Sequence, residues 1–274
     1  LPTMNVESWG GGAPFDTTAA ETVRECGGDA GSPLHYGTHD MNVDGFPDLV
    51  VTYDKCDGAT IGNSRWDVYP GSAAGFASDP EAWALPTFAD DGGTWNTTVP
   101  IGLQSAGGGF RTCSGIPDLY FFYTTMELTG DGYPDLIITR DDCGDEDLSD
   151  THWDVYPGSD SGFQSDPVTW NLPVFEGTAW SNTVPFLTLT GPTSRDCGGA
   201  YSSLAYTVAD LDGDAIADFV AHYDECDGAE AWMDHWDIYR GSASAGFAAT
   251  AENWALPAAT GEDWKRDVPF VTMA

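Results

Sequence analysis

The chain has little positive charge. Nine Lys and Arg stand against 44 Asp and Glu in 274 residues, a formal net charge of −35. Nucleic acids and anionic lipid surfaces both favour basic partners, so this deficit argues against each of them. Long apolar runs are missing as well. None approaches the roughly 20 residues a membrane helix needs, and no membrane insertion is expected. There is no CxxC pair, which removes the usual thiolate zinc site. There is no GxSxG and no HExxH, and His35, His39, His152, His222 and His235 are scattered without ligand spacing. Carboxylate pairs suited to glycoside hydrolysis are uninformative in so acidic a chain. The chain is therefore read as non-enzymatic. It begins at Leu1 without an initiator Met or a signal-like segment, which suggests a processed mature chain or an excised fragment.

What is present is repetition. No segment has a persuasive helical period, while 33 Gly, 17 Pro and 11 Trp are regularly placed, as in an all-β chain with many turns. The nine residues Asp40 to Asp48 recur as Glu127 to Asp135 and as Asp210 to Asp218. Oxygen-bearing side chains fall at positions 1, 3, 5 and 9 of each stretch: Asp40, Asn42, Asp44 and Asp48; Glu127, Thr129, Asp131 and Asp135; Asp210, Asp212, Asp214 and Asp218. A carbonyl at position 7 adds a fifth donor. Hard oxygen donors at this spacing suit Ca2+, about one ion per loop and so about three per chain. The plainer alternative is an Asx-rich hairpin turn without metal.

β-prone runs flank each loop. Leu34 to His39, Tyr120 to Met126 and Leu204 to Ala209 precede it. Leu49 to Tyr53, Leu136 to Thr139 and Phe219 to Tyr223 follow it and are apolar on both faces, as in central strands. A third strand is expected at Trp66 to Tyr69, Trp153 to Tyr156 and Trp236 to Tyr239. A fourth is expected from Gly75-Phe76, Gly162-Phe163 and Gly246-Phe247 onward through Trp83, Trp170 and Trp254. Asp44, Asp131 and Asp214 lie 87 and 83 residues apart, and Trp66, Trp153 and Trp236 keep the same intervals. The whole chain, 1–274, then reads as one repeat domain with units near 1–84, 85–171 and 172–255. A Leu-Pro…Trp…Pro segment occurs four times, leaving a terminal partial repeat at 256–274.

The six Cys fall two to a unit: Cys26 and Cys56, Cys113 and Cys143, Cys197 and Cys226, with separations of 30, 30 and 29 residues. This reads as one local disulfide per unit, though other pairings satisfy the same count. Disulfides place the protein in an oxidising setting, secreted or at the cell surface.

DGFPDLVV and DGYPDLII, followed by WDVYPGS and then GF, resemble the FG-GAP or VCBS-type repeats of integrin-like β-propellers. The paired Cys and acidic loops are closest in style to secreted myxobacterial repeat proteins. The resemblance implies four-stranded blades with calcium in the first hairpin, in a closed small ring or an open or assembled array. It assigns the position-7 carbonyls to Phe46, Tyr133 and Ile216. The first loop follows the family pattern best. The second departs at Glu127 and Thr129, and the third at Ala215, where the family has Gly. Three blades are few for a closed ring. A head-to-tail homo-oligomer or filament through the terminal repeat segments is one expected outcome.

Function is accordingly expected to be adhesive or structural. The alternative is calcium-dependent glycan binding, with Trp83, Trp170 and Trp254 as candidate stacking platforms. The plainer reading of these Trp is core packing. Asp67, Asp154 and Asp237, each inside a third strand, are read as carboxylates bonded to neighbouring backbone, with ligand contact as the alternative.

Overall fold

The computed structural model describes residues 19–26, 29–57, 61–62, 64–86, 107–113, 116–143, 148, 151–173, 190–196, 201–224 and 235–256. It is all-β, with three antiparallel sheets whose strands follow one another in chain order. Sheet one contains β1 (Ala19–Cys26), β2 (Asp29–His39), β3 (Asp48–Asp54), β4 (Arg65–Tyr69) and β5 (Glu81–Ala84). Sheet two contains β6 (Gly107–Cys113), β7 (Ile116–Met126), β8 (Asp135–Asp141), β9 (His152–Tyr156) and β10 (Val168–Asn171). Sheet three contains β11 (Thr190–Asp196), β12 (Tyr201–Ala209), β13 (Asp218–Asp224), β14 (His235–Tyr239) and β15 (Glu252–Ala255). Among the described residues the helical turn is η1 (Lys55–Asp57), a 3-10 turn.

Two expectations are corrected. The sheets have five strands, not four. The extra strand, β1, β6 or β11, lies in the Gly- and Thr-rich stretch before the first expected strand. It pairs antiparallel with β2, β7 or β12. The Gly-Phe dipeptides, read as the start of the fourth strand, lie outside the strands: β5, β10 and β15 begin at Glu81, Val168 and Glu252.

The apolar runs form the middle of each sheet, as their composition requires. In β3 and β8 every residue but one is buried, and Asp54 and Asp141 at their ends accept from the backbone N–H of Cys56 and Cys143. The partner strand is irregular at one equivalent point in all three sheets: between His35 and Tyr36, Phe122 and Tyr123, and Ala205 and Tyr206. Such a bulge bends and twists the strand locally. The hairpins β2–β3, β7–β8 and β12–β13 each enclose one candidate calcium loop at their turn, so strand register fixes where each loop sits.

The cores lie between sheets. Trp66 and Trp83 are opposite one another on β4 and β5, and both face Phe163, at 5.3 and 6.1 Å between ring centroids. Trp153 and Trp170 face Phe247 in the same manner, both at 5.7 Å. Edge-to-face contacts of this kind add to the roughly 1.5–3 kcal/mol expected from burying a large apolar side chain. Met41, Val50 and Val68 of sheet one join Phe121, Leu136 and Tyr156 of sheet two in one core. Leu128, Ile137 and Val155 of sheet two join Tyr206, Phe219 and Tyr239 of sheet three in another.

Candidate metal centres

Each loop is closed by its last carboxylate. Asp48 is buried and accepts from Met41 N–H at 2.9 Å and from Gly71 N–H at 2.7 Å. Asp135 accepts from Leu128, Thr129 and Gly158 N–H at 2.8, 3.0 and 2.9 Å. Asp218 accepts from Leu211 and Gly241 N–H at 3.2 and 2.9 Å. The position-9 carboxylate therefore ties the loop to the turn after the third expected strand. The sequence reading had these residues as ligands and missed the glycines. The signal was available: Gly71, Gly158 and Gly241 each lie 23 residues beyond their Asp. A side chain there would strike the carbonyl of Pro47, Pro134 or Ala217, so glycine alone fits.

The remaining donors wrap the loop around itself. Asp40 accepts from Asp44 and Gly45 N–H at 3.1 and 2.9 Å, Asn42 from Asp44 N–H at 3.0 Å, and Asp44 from Phe46 N–H at 2.8 Å. Loop three repeats this, with Asp210 bound by Gly213 and Ala215 N–H, Asp212 by Asp214 N–H and Asp214 by Ile216 N–H. In loop two Glu127 Oε1 accepts from Gly130 N–H at 2.6 Å, and Asp131 accepts from Tyr133 N–H at 2.9 Å. Carboxylate oxygens have several lone-pair directions, so these bonds leave room for a cation.

The turn demands left-handed backbone at two positions. Position 6 has φ of 88°, 92° and 73° at Gly45, Gly132 and Ala215. Position 4 has φ of 61°, 85° and 81° at Val43, Gly130 and Gly213. Ala215 is thus strained, as its departure from Gly suggests. Val43, a β-branched residue in the same region, is a second strained position that the sequence reading did not identify. Gly130 approaches the Ile216 side chain of loop three, and Gly132 approaches Val43 of loop one, so the three loops line one edge of the stacked sheets.

Loop two is the most buried electrostatically. Glu127 Oε2 is enclosed without a hydrogen-bond partner. Burial raises the Glu127 carboxyl above its usual range, and the Asp131 charge adds to this. Burial pushes Asp135 up to about 7, although the N–H groups of Gly158, Leu128 and Thr129 favour its ionised form. Asp48 is raised by burial in the same way. In loop three, Asp210, Asp212 and Asp218 each place an oxygen within 4.8 Å of the others. Arg240 Nη1 lies there too, 3.1 Å from Asp212 and 3.2 Å from Asp218. Its place is held by Pro70 and Pro157 in the other units. Asp212 is the extra carboxylate of loop three, standing where loop one has Asn42 and loop two has Thr129, and Arg240 offsets it.

The donor set is all oxygen, and one buried carboxylate oxygen lacks a donor. Such an oxygen is costly unless a positive group meets it. The residues present therefore fit a hard divalent cation.

Comparison with protein-family models, curated proteins and solved structures finds no match.

The other candidates are placed as follows. Trp83 and Trp170 are enclosed between sheets and present no face to a sugar, whereas Trp254 is 42% exposed. Trp9, Trp95, Trp180 and Trp264 lie outside the described residues, as does the terminal partial repeat except Leu256. Cys56 and Cys143 are disulfide-bonded. The side chains of Cys26 and Cys113, and all of Cys197 and Cys226, lie outside the described residues. The η1 turn that carries Cys56 lies against β1 and β2. Asp67, expected to bond backbone, instead accepts from Arg65 Nε at 2.8 Å. His152 and His235 take the place of Arg65, 3.9 and 3.5 Å from Asp154 and Asp237. Among the described residues no helix is long and apolar enough to cross a membrane.

Proposed function

We propose that this chain is a calcium-binding structural module of FG-GAP/VCBS-type units, working outside the cell in adhesion or scaffolding. The observation that supports this most is the buried, unpartnered Glu127 oxygen in a loop where burial holds the Glu127 and Asp135 carboxyls above their normal range. A divalent cation meets that oxygen and keeps the neighbouring carboxylates ionised. Glu127, Thr129, Asp131, the Tyr133 carbonyl and Asp135 hold it in loop two, with the equivalent sets in loops one and three. The cation fastens the β-hairpin turn at one end. Local disulfides, Cys26 with Cys56, Cys113 with Cys143 and Cys197 with Cys226, fasten the hairpins at the other. Closing a loop of this length contributes about 3–4 kcal/mol in the chain-entropy model.

A calcium role in stability rather than catalysis agrees with the loops' position. They sit at sheet turns, tied by buried carboxylates to the sheet itself. The disulfide-bonded Cys56 and Cys143 support an oxidising location. Glycan stacking is the weaker reading, because two of its three platforms are enclosed. Thermal melting with calcium, with magnesium and after chelation tests the proposal. Calcium is expected to raise the melting temperature well above the chelated value, and magnesium to do so much less. Equal melting in all three conditions rejects it.

A further inference from the structure

Loops two and three are joined by a backbone hydrogen bond. Ala217 N–H, at position 8 of loop three, donates to the carbonyl of Leu128, at position 2 of loop two, at 3.3 Å. Both residues are buried in one core cluster, and Ile216 packs against it. The bond acts on an expected ligand. The Ile216 carbonyl, the position-7 donor of loop three, shares one planar peptide unit with Ala217 N–H. That unit is trans, so holding the N–H on loop two also sets the direction of the carbonyl. The other end is anchored as well. Leu128 N–H donates to Asp135 Oδ2 at 2.8 Å, and Leu128 lies between Glu127 and Thr129, positions 1 and 3 of loop two.

The residues that permit this link differ from their counterparts in the other loops. Position 8 is Pro47 in loop one and Pro134 in loop two. Proline has no N–H, so Pro134 cannot make the same bond to Met41 of loop one. Position 4 of loop two is Gly130, where a Cβ would stand 2.7 Å from Ile216 Cγ1, whereas loop one has Val43 there. Loops one and two approach at Gly132, where a Cβ would lie 3.8 Å from Val43 Cγ1. Loop two is thus tied to loop three through backbone, and meets loop one through a side chain.

We propose that loops two and three take up calcium cooperatively through the Leu128–Ala217 bond, while loop one fills independently. This deepens the calcium reading of the loops and rests on it. Arg240 stands beside two acids of loop three, so loop two fills first. Filling loop two holds Glu127 and Thr129, and with them Leu128. The Ile216 carbonyl is then already oriented, and less ordering remains when loop three fills. By linkage, loop three helps loop two by the same factor. Filling loop two also weakens the negative field at loop three. Moderate salt screens that opposing effect and leaves the buried bond intact. Leu128 and Ala217 are positioning residues rather than ligands.

The test is a calcium titration of the chelator-stripped full chain at moderate salt, followed by the amide NMR signals of Gly45, Gly132 and Gly213, one in each loop. Glu127→Gln with Asp131→Asn removes two of the three carboxylates of loop two and empties it, as an unmoved Gly132 signal reports. The Gly213 midpoint is expected to rise to about fivefold higher calcium or more, and the Gly45 midpoint to stay. In an Ala217→Pro background the same pair is expected to leave the Gly213 midpoint in place. Any direct effect of the proline on loop three is common to both chains and cancels. Loops one and two already carry proline at this position. The first comparison needs no change at Ala217, so it decides even if that variant does not fold. A Gly213 midpoint indifferent to the emptying of loop two overturns the proposal. So does a shift that Ala217→Pro leaves intact, or an equal shift at Gly45. Gly132 and Gly213 signals that both move with calcium, each regardless of the other loop, remove the coupling and leave the calcium reading. Signals that calcium does not move remove that reading itself.

Discussion

Loops two and three share a ligand spacing and differ in how their charge is met. Loop two buries Asp135 and one Glu127 oxygen, which has no hydrogen-bond partner. Loop three is more exposed, has an extra carboxylate in Asp212, and carries its own cation in Arg240. Their backbones differ too. Loop two has Gly at both left-handed positions, whereas loop three places Ala215 at φ of 73°. A spacing pattern therefore identifies the turn, but burial and the nearest guanidinium decide how much a metal is needed. Loop two is expected to bind calcium more tightly than loop three.

The largest effect should come from the carboxylate that closes loop two. Asp135→Ala strips the partner from the N–H groups of Leu128, Thr129 and Gly158. It is expected to cost about 3 kcal/mol or more in urea unfolding even under chelation, because these bonds need no metal. Asp218→Ala, which frees only the N–H groups of Leu211 and Gly241, is expected to cost less.

Protonation of the same residue provides the next comparison. Asp135 is raised in the folded state from 3.8 to about 7, so between those values the folded chain holds a proton that the unfolded chain has lost. Stability from this group is complete below about pH 4 and is lost as pH rises to 7. The chelated protein should therefore melt lower at pH 7.5 than at pH 5 as far as Asp135 is concerned. Asp135→Asn should flatten that fall, and calcium should reverse it.

Glu127→Gln should weaken the tightest calcium site by about tenfold, since site charge tunes affinity. Asp212→Asn should change loop three much less, because Arg240 already offsets that carboxylate. Calcium titration of each variant checks both. Ala215→Gly should stabilise the chelated protein by about 1 kcal/mol, the usual cost of holding a side chain at positive φ. The smallest effect is expected for Arg240→Gln. It should raise calcium affinity at loop three by a few fold, narrowing the gap to loop two.

Much of this was legible in the residues. Apolar runs such as Leu136 to Thr139 gave the central strands, and the nine-residue stretches marked the hairpin turns. The extra strand β1 was not legible, because its sequence, AAETVREC, shows no clear alternation. The fourth strand was read too early, since Phe163 and Phe247 are apolar to fill the neighbouring sheet rather than their own. Within the loops, spacing identified the donors but not their electrostatic state. Arg240 lies 22 residues beyond Asp218 in the chain and meets it only through the sheet. Val43 at positive φ is invisible from residue type, because a β-branched residue argues against that backbone.

Isothermal titration of the chelator-stripped chain with calcium tests the central claim most directly. Saturable binding is expected at up to three sites, one per loop, with the tightest weakened about tenfold in Glu127→Gln and unchanged in Asp212→Asn. Absence of saturable binding, or a tightest site that survives Glu127→Gln unchanged, shows that the loops are closed by their own hydrogen bonds and that calcium has no part in them.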